Sequence, residues 1–209
     1  MFTGLIEHVG EVARIETIDG GYRLLIDAGV AGALAPGDSI AVNGVCLTVV
    51  TKTDRQFTTE IGPETARVTT LGRFGPGTLV NLERPMRPDG HMGGHFVLGH
   101  VDATGVLTDV REDGEFYWIR VAFDPSCAPY FIPKGSVAVD GISLTVATLD
   151  ERDFTVQIIP FTWEHTNLRG LRTGDPVNLE VDVIGKYVVR VAQLSGAWPA
   201  GSAPRSIAS

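Results

Sequence analysis

The sequence predicts an all-β protein built from two similar domains, and three observations support this prediction. The stretch SIAVNGVCLTV, Ser39 to Val49, returns as SVAVDGISLTV, Ser136 to Val146, at a spacing of 136 − 39 = 97 residues. The same spacing continues to Glu83 and Glu180, and roughly half of the aligned positions are identical, which is far above chance. Short apolar runs separated by Gly and Pro turns fill both copies. Two duplicated globular domains of barrel or sandwich type are therefore expected, because a solenoid needs three or more units.

The first copy divides into short strands with recognisable turns between them. Its opening, FTGLIEHVGEVARI, alternates apolar and polar residues as a half-covered strand does. Asn43-Gly44 is a hairpin signal, and the preceding Pro36-Gly37-Asp38 has turn chemistry. A short helical turn is expected between Pro63 and Leu71. The further strands are expected at Arg23 to Ala28, Ser39 to Val42, Val45 to Thr51, Phe57 to Ile61 and Leu79 to Glu83.

The second copy begins after a connection rich in Pro, Gly and Asp, from Pro85 to Gly94. Its opening, His95 to Val101, matches the first only loosely, at a shifted spacing of 99 − 4 = 95 residues. Asp140-Gly141 replaces the earlier Asn-Gly turn. The strands of this copy are expected at Trp118 to Phe123, Ser136 to Val139, Ile142 to Thr148, Phe154 to Ile159 and Val177 to Val181.

The end of the chain has a different character from the two copies. KYVVRVAQL, which follows Gly185, has apolar positions typical of a short amphipathic helix, and so short a helix must pack on something. The final GAWPAGSAPRSIAS is small and polar and is expected to be disordered. The predicted division is thus a first barrel at 1–90, a second at 91–185, a helix at 186–195 and a tail at 196–209.

Composition excludes several classes of partner. The formal charge of −8 and the isoelectric point near 5.0 disfavour nucleic acid and anionic membrane, since both need clustered Lys and Arg. No stretch reads as a signal peptide or is long enough to span a bilayer, so a cytoplasmic location is expected. Cys46 and Cys127 fall in different copies, where reduced thiols are the default.

The informative positions are those where the two copies differ. Cys46 aligns with Ser143, Asn43 with Asp140 and Gly37 with Lys134. Diverged reactive side chains in a duplicated domain indicate two related pockets with unequal roles, although ordinary drift after duplication is the alternative.

Each of these positions also has a purely structural interpretation. A hairpin turn needs positive φ at Asn-Gly or Asp-Gly, and a lone Cys46 in a strand is usually a small buried hydrophobe. Ser143, Thr48 and Thr145 face either solvent or a pocket.

A metal site is disfavoured by the local sequence. His91, His95 and His100 are spaced four and five residues apart, but the intervening Gly93-Gly94 argues against one helix face. The segment from Gly90 to Gly94 also lacks the context of a phosphate-binding loop.

Six motifs, taken together and in order, resemble the α-chain type of riboflavin synthase: MFTGLIE, SIAVNGVCLTV, GGHFVLGHVD, SVAVDGISLTV, IPFTWEHTNL and VNLEVDVIGKYV. The resemblance covers Met1 to about Leu194. It implies two six-stranded Greek-key barrels and a C-terminal helix that gathers three subunits into a homotrimer. It also implies a cofactor-free dismutation in which two molecules of 6,7-dimethyl-8-ribityllumazine give riboflavin and 5-amino-6-ribitylamino-uracil. An association with lumazine synthase is a further expectation.

The same resemblance implies the residues of two pockets. Those of the N-terminal barrel would be Gly4, Leu5, Ile6, Ser39, Cys46, Leu47, Thr48, Glu60, Ile61, Gly62, Pro63, Glu64 and Thr65. Those of the C-terminal barrel would be Gly99, His100, Val101, Lys134, Ser143, Leu144, Thr145, Ile158, Ile159, Pro160, Phe161, Thr162, Trp163 and Asp182. Proton transfer or nucleophilic addition would fall to Cys46, His100, Ser143 and Asp182. Val45 departs from the pattern, since some members have a second cysteine there.

Two other classes compete with this interpretation. One is a binding protein similar to the lumazine proteins of luminous bacteria, which hold a fluorophore in the same duplicated barrel. The polar residues in both halves favour the enzyme. The other is a flavin-dependent oxidoreductase, but the chain has no strand, Gly-rich loop and helix that would hold a pyridine nucleotide.

Overall fold

The computed structural model describes residues 1–198 and shows twelve strands and three α-helices in that part of the chain. The strands of the first half are β1 His8–Ile18, β2 Gly21–Asp27, β3 Ser39–Val42, β4 Val45–Lys52, β5 Gln56–Ile61 and β6 Leu79–Glu83. Those of the second half are β7 Ala103–Asp113, β8 Phe116–Ala122, β9 Ser136–Val139, β10 Ile142–Leu149, β11 Asp153–Ile158 and β12 Pro176–Val181. The helices are α1 Pro63–Val68, α2 Pro160–Glu164 and α3 Val183–Leu194.

The strands close into two antiparallel barrels with the same internal order. The first runs β1-β2-β5-β4-β3-β6, and the second, entered at β7, runs β7-β8-β11-β10-β9-β12. The register shifts recur as well: β1 slips against β2 between Val12 and Arg14, and β7 slips against β8 between Leu107 and Asp109. The predicted pair of closed six-stranded barrels is confirmed, and closure leaves no free sheet edge.

Each barrel has its own apolar core, and a third small cluster joins them. Phe57 and Phe154, which are repeat counterparts, are fully buried in the first and second core. The joining cluster contains Phe2, Ala41, Val97 and Ala138, with Cys46 packed against it. Its members are again counterparts, so the cluster lies on a pseudo-twofold axis that relates the two halves.

The first residues of each half are not part of the barrel strands, although the alternating pattern predicted a strand from Phe2 onward. They form extended arms that meet at a single bridge between Phe2 and Val97, where each backbone N–H donates to the other's carbonyl, at 2.7 and 3.1 Å. The first barrel strand begins only at His8. Burial of Phe2 between the halves explains the difference, since its apolar side chain belongs to the joining cluster instead of a barrel core.

Buried amides connect the two hairpin turns on the same axis. Asn43 and Asp140 both have φ of 44°, as their predicted turns require. The amide of Asn81 donates to the carbonyl of Asp140 at 2.9 Å, and the amide of Asn178 donates to the carbonyl of Asn43 at 2.8 Å. The turns therefore do more than reverse the chain, because they also supply acceptors that hold one barrel to the other.

This network differs between the halves at two pairs of positions, since Asn43 aligns with Asp140 and Thr70 aligns with Asn167. Thr70 and Asn167 are counterparts, and the backbone N–H of each donates to an Asn side chain at 2.7 Å. Asn167 additionally donates to the carboxylate of Asp140 at 2.8 Å, whereas the hydroxyl of Thr70 has no hydrogen-bond partner within residues 1–198. Complete burial raises the pKa of Asp140 to about 6, and hydrogen bonds from Asn178 and Asn167 oppose that rise.

Helix α3 starts at Val183, three residues before the predicted boundary at 186. The Asp182 carboxylate accepts from the N–H of Ile184 at 3.0 Å and caps the helix, so Gly185 lies inside its first turn. No helix within residues 1–198 is long and apolar enough to cross a membrane. Most of the tail predicted at 196–209 lies outside the described residues.

Candidate active site

Cys46 and Ser143 occupy equivalent positions on the outer faces of β4 and β10. Along β4 the buried side chains are Val45, Leu47 and Val49, which point into the barrel core. Cys46 is half-buried and Thr48 is exposed, so both face away from the core. Alternation along a strand thus places the two polar candidates of each half, Cys46 with Thr48 and Ser143 with Thr145, on an outer surface.

An extended arm passes directly over each of these residues. The carbonyl of Gly99 accepts from the N–H of Cys46 at 2.9 Å, and that of Gly4 accepts from the N–H of Ser143 at 2.8 Å. Both glycines have positive φ, 76° at Gly4 and 80° at Gly99. A Cβ on Gly4 would lie 2.6 Å from the Cβ of Ser143, and one on Gly99 would lie 2.5 Å from that of Cys46. Only glycine allows so close an approach.

A buried glutamate fixes each arm to its own barrel. Glu83 accepts from the backbone N–H groups of Thr3 and Gly4 at 2.6 and 2.9 Å, and also from the Thr3 hydroxyl. Its counterpart Glu180 accepts from three consecutive N–H groups, those of Leu98, Gly99 and His100. Burial raises the pKa of both glutamates, and the backbone donors oppose that rise.

The arms are exchanged relative to the expected pockets. Ile6 packs against the core of the second barrel, and Val101 packs against the core of the first. The sequence assigned Gly4, Leu5 and Ile6 to the N-terminal pocket, and Gly99 to Val101 to the C-terminal one. In the structure the first arm lies over the reactive strand of the second half, and the second arm lies over that of the first. The arms cross at Phe2 and Val97, so each one reaches the reactive strand of the other half.

His95 was considered in the sequence only as a metal ligand, yet it contacts Ser143. Its Nδ1 lies 2.7 Å from the Ser143 hydroxyl oxygen, and its Nε2 is buried with no partner in the described chain. Burial lowers the pKa of His95, and the charge of Asp182 opposes this effect. A neutral imidazole next to a hydroxyl is the arrangement of a base and the group it deprotonates.

His100 and Asp182 lie near different reactive residues. His100 is exposed and follows Gly99 on the arm over Cys46. Asp182 begins α3 and acts electrostatically on His95, on the side of Ser143. Of the four predicted catalytic residues, the structure therefore groups Ser143 with Asp182, and Cys46 with His100.

The remaining predicted lining residues fall into three groups by burial. Leu47, Ile61 and Ile158 are at most 7% exposed and belong to the barrel cores, so a ligand on the outer face would meet only their backbone. Leu144 is partly buried and packs against the second core. The others are exposed or half-buried and lie mainly around the starts of α1 and α2 and on the neighbouring strands: Ser39, Glu60, Gly62, Pro63, Glu64, Thr65, Lys134, Ile159, Pro160, Phe161, Thr162 and Trp163.

Several of these side chains already have partners. Glu60 forms an ion pair with Arg23 at 2.6 Å, and Glu64 forms one with Arg67 at 2.7 Å. Trp163 stacks on Tyr117 with ring centroids 4.0 Å apart. Phe161 is 65% exposed and stacks on the exposed His165 at the same separation, so it presents an aromatic face at the surface.

Two open clefts flank the first arm. One of about 830 Å³ is bordered by Leu5, Ile6 and Ser39 together with the connection between the barrels. The other, of about 570 Å³, is bordered by Ile6, Phe161 and His165. Both volumes fall in the range of small-molecule sites.

The other reactive side chains give no second centre. Cys127 is 1% exposed, and burial raises its pKa to about 11, so it does not supply a thiolate. No three His, Cys, Asp or Glu side chains converge on a metal-binding geometry among residues 1–198.

Known proteins match this arrangement. A family profile described as the lumazine binding domain matches residues 3–85 and again 98–182. Riboflavin synthase of Actinobacillus pleuropneumoniae is 44% identical over 189 residues, which are 90% of this chain and 88% of that protein. Riboflavin synthase of Mycobacterium tuberculosis (strain H37Rv) is 46% identical over 201 residues, 94% of this chain and all of the other.

Solved structures share the fold at lower identity. The structure of LumP complexed with 6,7-dimethyl-8-(1'-D-ribityl) lumazine has a TM-score of 0.79 at 20% identity, covering 87% of this chain and 99% of LumP. LumP complexed with riboflavin gives 0.80 at 21% identity over the same shares. The sequence relatives, which span nearly the whole chain, identify the family: the protein belongs to the riboflavin synthases, with two lumazine binding domains in one chain.

Proposed function

We propose that this protein converts two molecules of 6,7-dimethyl-8-ribityllumazine into riboflavin and 5-amino-6-ribitylamino-uracil. The observation that carries the proposal is that two barrels of the same fold have different reactive side chains at equivalent positions. Two barrels of the same order present a thiol at one position and a hydroxyl with its own imidazole at the equivalent position. A reaction between two identical molecules with different fates needs such a pair of sites.

The chemistry requires little beyond acid–base groups and orientation. The C7 methyl group of the lumazine is acidic, because its carbanion delocalises into the ring, and the two substrates contain all the atoms of the two products. No external oxidant or reductant enters the balance. We assign proton transfer in the second half to the Ser143 hydroxyl with His95, and stabilisation of the charged imidazolium to Asp182.

Cys46 and His100 take the matching positions over the other site. The thiol is the nucleophile available for addition to the second lumazine. His100 belongs to the arm that covers this thiol and comes directly after Gly99. Thr48, Thr145 and Lys134 are proposed to bind the ring and the ribityl chain. The exposed ring of Phe161 offers a stacking surface.

We infer that the two centres of one chain are too far apart to exchange a carbon fragment directly. The two arms run in opposite directions from the antiparallel bridge between Phe2 and Val97. Gly4 and Gly99 each lie two residues beyond that bridge, so extended arms would separate them by roughly 14 Å. Reacting atoms must approach to about 3.5 Å. We therefore propose that the substrate pair is held between the first barrel of one subunit and the second barrel of its neighbour.

Helix α3 supplies a surface for that assembly. Its exposed apolar side chains are Ile184, Tyr187, Val188, Val191 and Leu194, each between 58 and 72% exposed. They recur at helical spacing along one stripe, as expected of a helix that packs on copies of itself. We propose a homotrimer in the cytoplasm, where Cys46 and Cys127 stay reduced, and an association with lumazine synthase as the source of substrate.

The deciding experiment is incubation of the purified protein, after treatment with chelator, with 6,7-dimethyl-8-ribityllumazine alone. Riboflavin fluorescence should appear with one equivalent of the pyrimidine product for each riboflavin formed. Tight lumazine binding without turnover would instead show a ligand carrier. Light scattering of the same sample, with and without lumazine synthase, tests the trimer and the proposed association.

A further inference from the structure

An ion pair joins helix α3 to the arm that carries His100. The Nζ of Lys186 lies 2.7 Å from Oδ1 of Asp102, and the two side chains are only 27% and 13% exposed. Burial raises the pKa of Asp102, while the hydrogen bond and charge of Lys186 oppose that rise. Little solvent reaches this pair, so removal of one partner would leave the other charge poorly compensated, which costs more than at a typical surface pair.

The same carboxylate has a second partner next to another candidate catalytic residue. Its Oδ2 accepts from the N–H of Val181 at 2.9 Å, directly before Asp182. The backbone N–H of Asp102 donates to Leu179 at 2.9 Å. Asp102 therefore connects three features. It follows His100 by two residues, it accepts a hydrogen bond from the residue before Asp182, and it forms an ion pair with the first turn of α3.

The repeat shows that this arrangement is special to the second half. Glu7 is the counterpart of Asp102, and its N–H donates to Leu82 at 3.0 Å just as Asp102 donates to Leu179. Glu7 pairs with Arg84 at the same 2.7 Å, but those side chains are 37% and 45% exposed. The same backbone hydrogen bond positions Glu7 and Asp102. Only Asp102 is largely buried and paired with a helix residue.

We propose that Asp102 and Lys186 act as one positioning unit, which fixes the arm of His100 and the cap residue Asp182 relative to helix α3. The unit does not touch the substrate. It fixes His100, on the arm over Cys46, and Asp182, which acts on His95 beside Ser143. This inference rests on the proposed function, since its effect is on the turnover of the lumazine.

Four variants of the full-length protein test the unit: Lys186→Met, Asp102→Asn, the double variant and Lys186→Arg. Misplacement of catalytic groups by an ångström can cost up to a hundredfold, so kcat should fall about tenfold in either single variant. KM and lumazine affinity, measured by fluorescence titration, should change less than about threefold, because the pocket itself is intact. Lys186→Arg should recover most of kcat.

The double variant and a matched control make the result decisive. Two residues that act as a unit are not additive, so the double variant should resemble a single one. Asp153→Asn removes the 2.8 Å ion pair to Arg120 on the same barrel and should keep wild-type kcat. Three results would overturn the inference: wild-type kcat in both single variants, additive losses in the double variant, or a loss of kcat that follows a loss of molecular mass in light scattering. In each case the wild type would still be active, so the proposed function would stand. An inactive wild type would overturn the proposed function as well.

Discussion

The contact between His95 and Ser143 makes the second half chemically unlike the first. One imidazole nitrogen is 2.7 Å from the hydroxyl, and the other is buried without a partner within residues 1–198. The lowered pKa of His95 keeps the ring neutral down to more acidic conditions than usual. The basic form needed for proton abstraction is thus present throughout the neutral range.

Ser143→Ala and His95→Asn should each lower kcat by about a hundredfold, because general acid–base groups contribute about 10²- to 10⁴-fold. Ser143→Ala also leaves Nδ1 of the buried His95 without its partner, so the free energy of unfolding should fall by about 1–3 kcal/mol while the protein stays folded. The acidic limb of the wild-type profile of kcat against pH should lie below pH 6.5, because burial lowers the pKa of His95. Steady-state assays from pH 5 to 9 measure both, and wild-type turnover in the two variants would remove the pair from the mechanism.

Asp140 makes the stability of the protein depend on pH in an unusual direction. Its pKa rises from 3.8 to about 6 on folding, so the native state binds the proton more tightly than the unfolded state does. Stability contributed by the protonated acid is complete below about pH 4 and is lost as the pH rises to about 6. The loss amounts to about 3 kcal/mol.

The double variant Asp140→Asn with Asn167→Thr should flatten that part of the curve. It gives the second half the Asn and Thr that the first half has at positions 43 and 70, and Asn43 already adopts the same φ of 44°. Urea unfolding between pH 4 and 7 measures the slope. An unchanged slope would assign the pH dependence to the other buried acids, Glu83, Glu180 and Asp102.

At the scale of elements, the arms are held by few but strong contacts. Glu180 accepts three backbone N–H groups, and no barrel strand pairs with that arm along its length. Glu180→Gln replaces an acceptor by an amide that turns a donor toward those N–H groups. The free energy of unfolding should fall by about 2–3 kcal/mol.

Hydrogen exchange distinguishes this local effect from general destabilisation. The N–H groups of Leu98, Gly99 and His100 should lose protection in Glu180→Gln, whereas those of the first arm at Thr3 and Gly4 should keep it. Glu83→Gln should give the reverse pattern. Equal loss in both arms would show that the glutamates stabilise the interface as a whole rather than their own arms.

At the scale of the whole molecule, the separation of Cys46 from Ser143 gives a test of the shared site. A mixture of Cys46→Ala and Ser143→Ala subunits, unfolded and refolded together, should regain turnover that neither variant has alone. With random mixing about a quarter of the sites combine an intact first barrel with an intact second one. A mixture no more active than its components would place both substrates within a single chain.

Assembly through α3 is tested at the same scale. Tyr187→Glu with Val191→Glu puts two charges on the apolar stripe, and the trimer should dissociate into folded monomers. Light scattering should give the mass of one chain, circular dichroism should keep the β signal, and turnover should be lost. A charged variant that stays trimeric would exclude this face as the interface.

The sequence by itself determined the duplication, the all-β class, the hairpin turns and the family. It could do so because strand period and turn chemistry are local signals, and because the 97-residue repeat is found by comparing the sequence with itself. It also named Cys46, Ser143, His100 and Asp182, since those positions are fixed by aligned motifs.

Only the tertiary structure decided which of these groups meet. The crossing of the arms at Phe2 and Val97 exchanges Ile6 and Val101 between the barrels, and it brings His95 to Ser143 across 48 residues of sequence. The enclosed pair of Asp102 and Lys186 likewise joins an arm to a distant helix. The exchange of the arms depends on the packing of one folded half against the other, and the two side-chain pairs depend on how distant segments of the second half fold together. Neither the period nor the spacing of the sequence encodes these contacts.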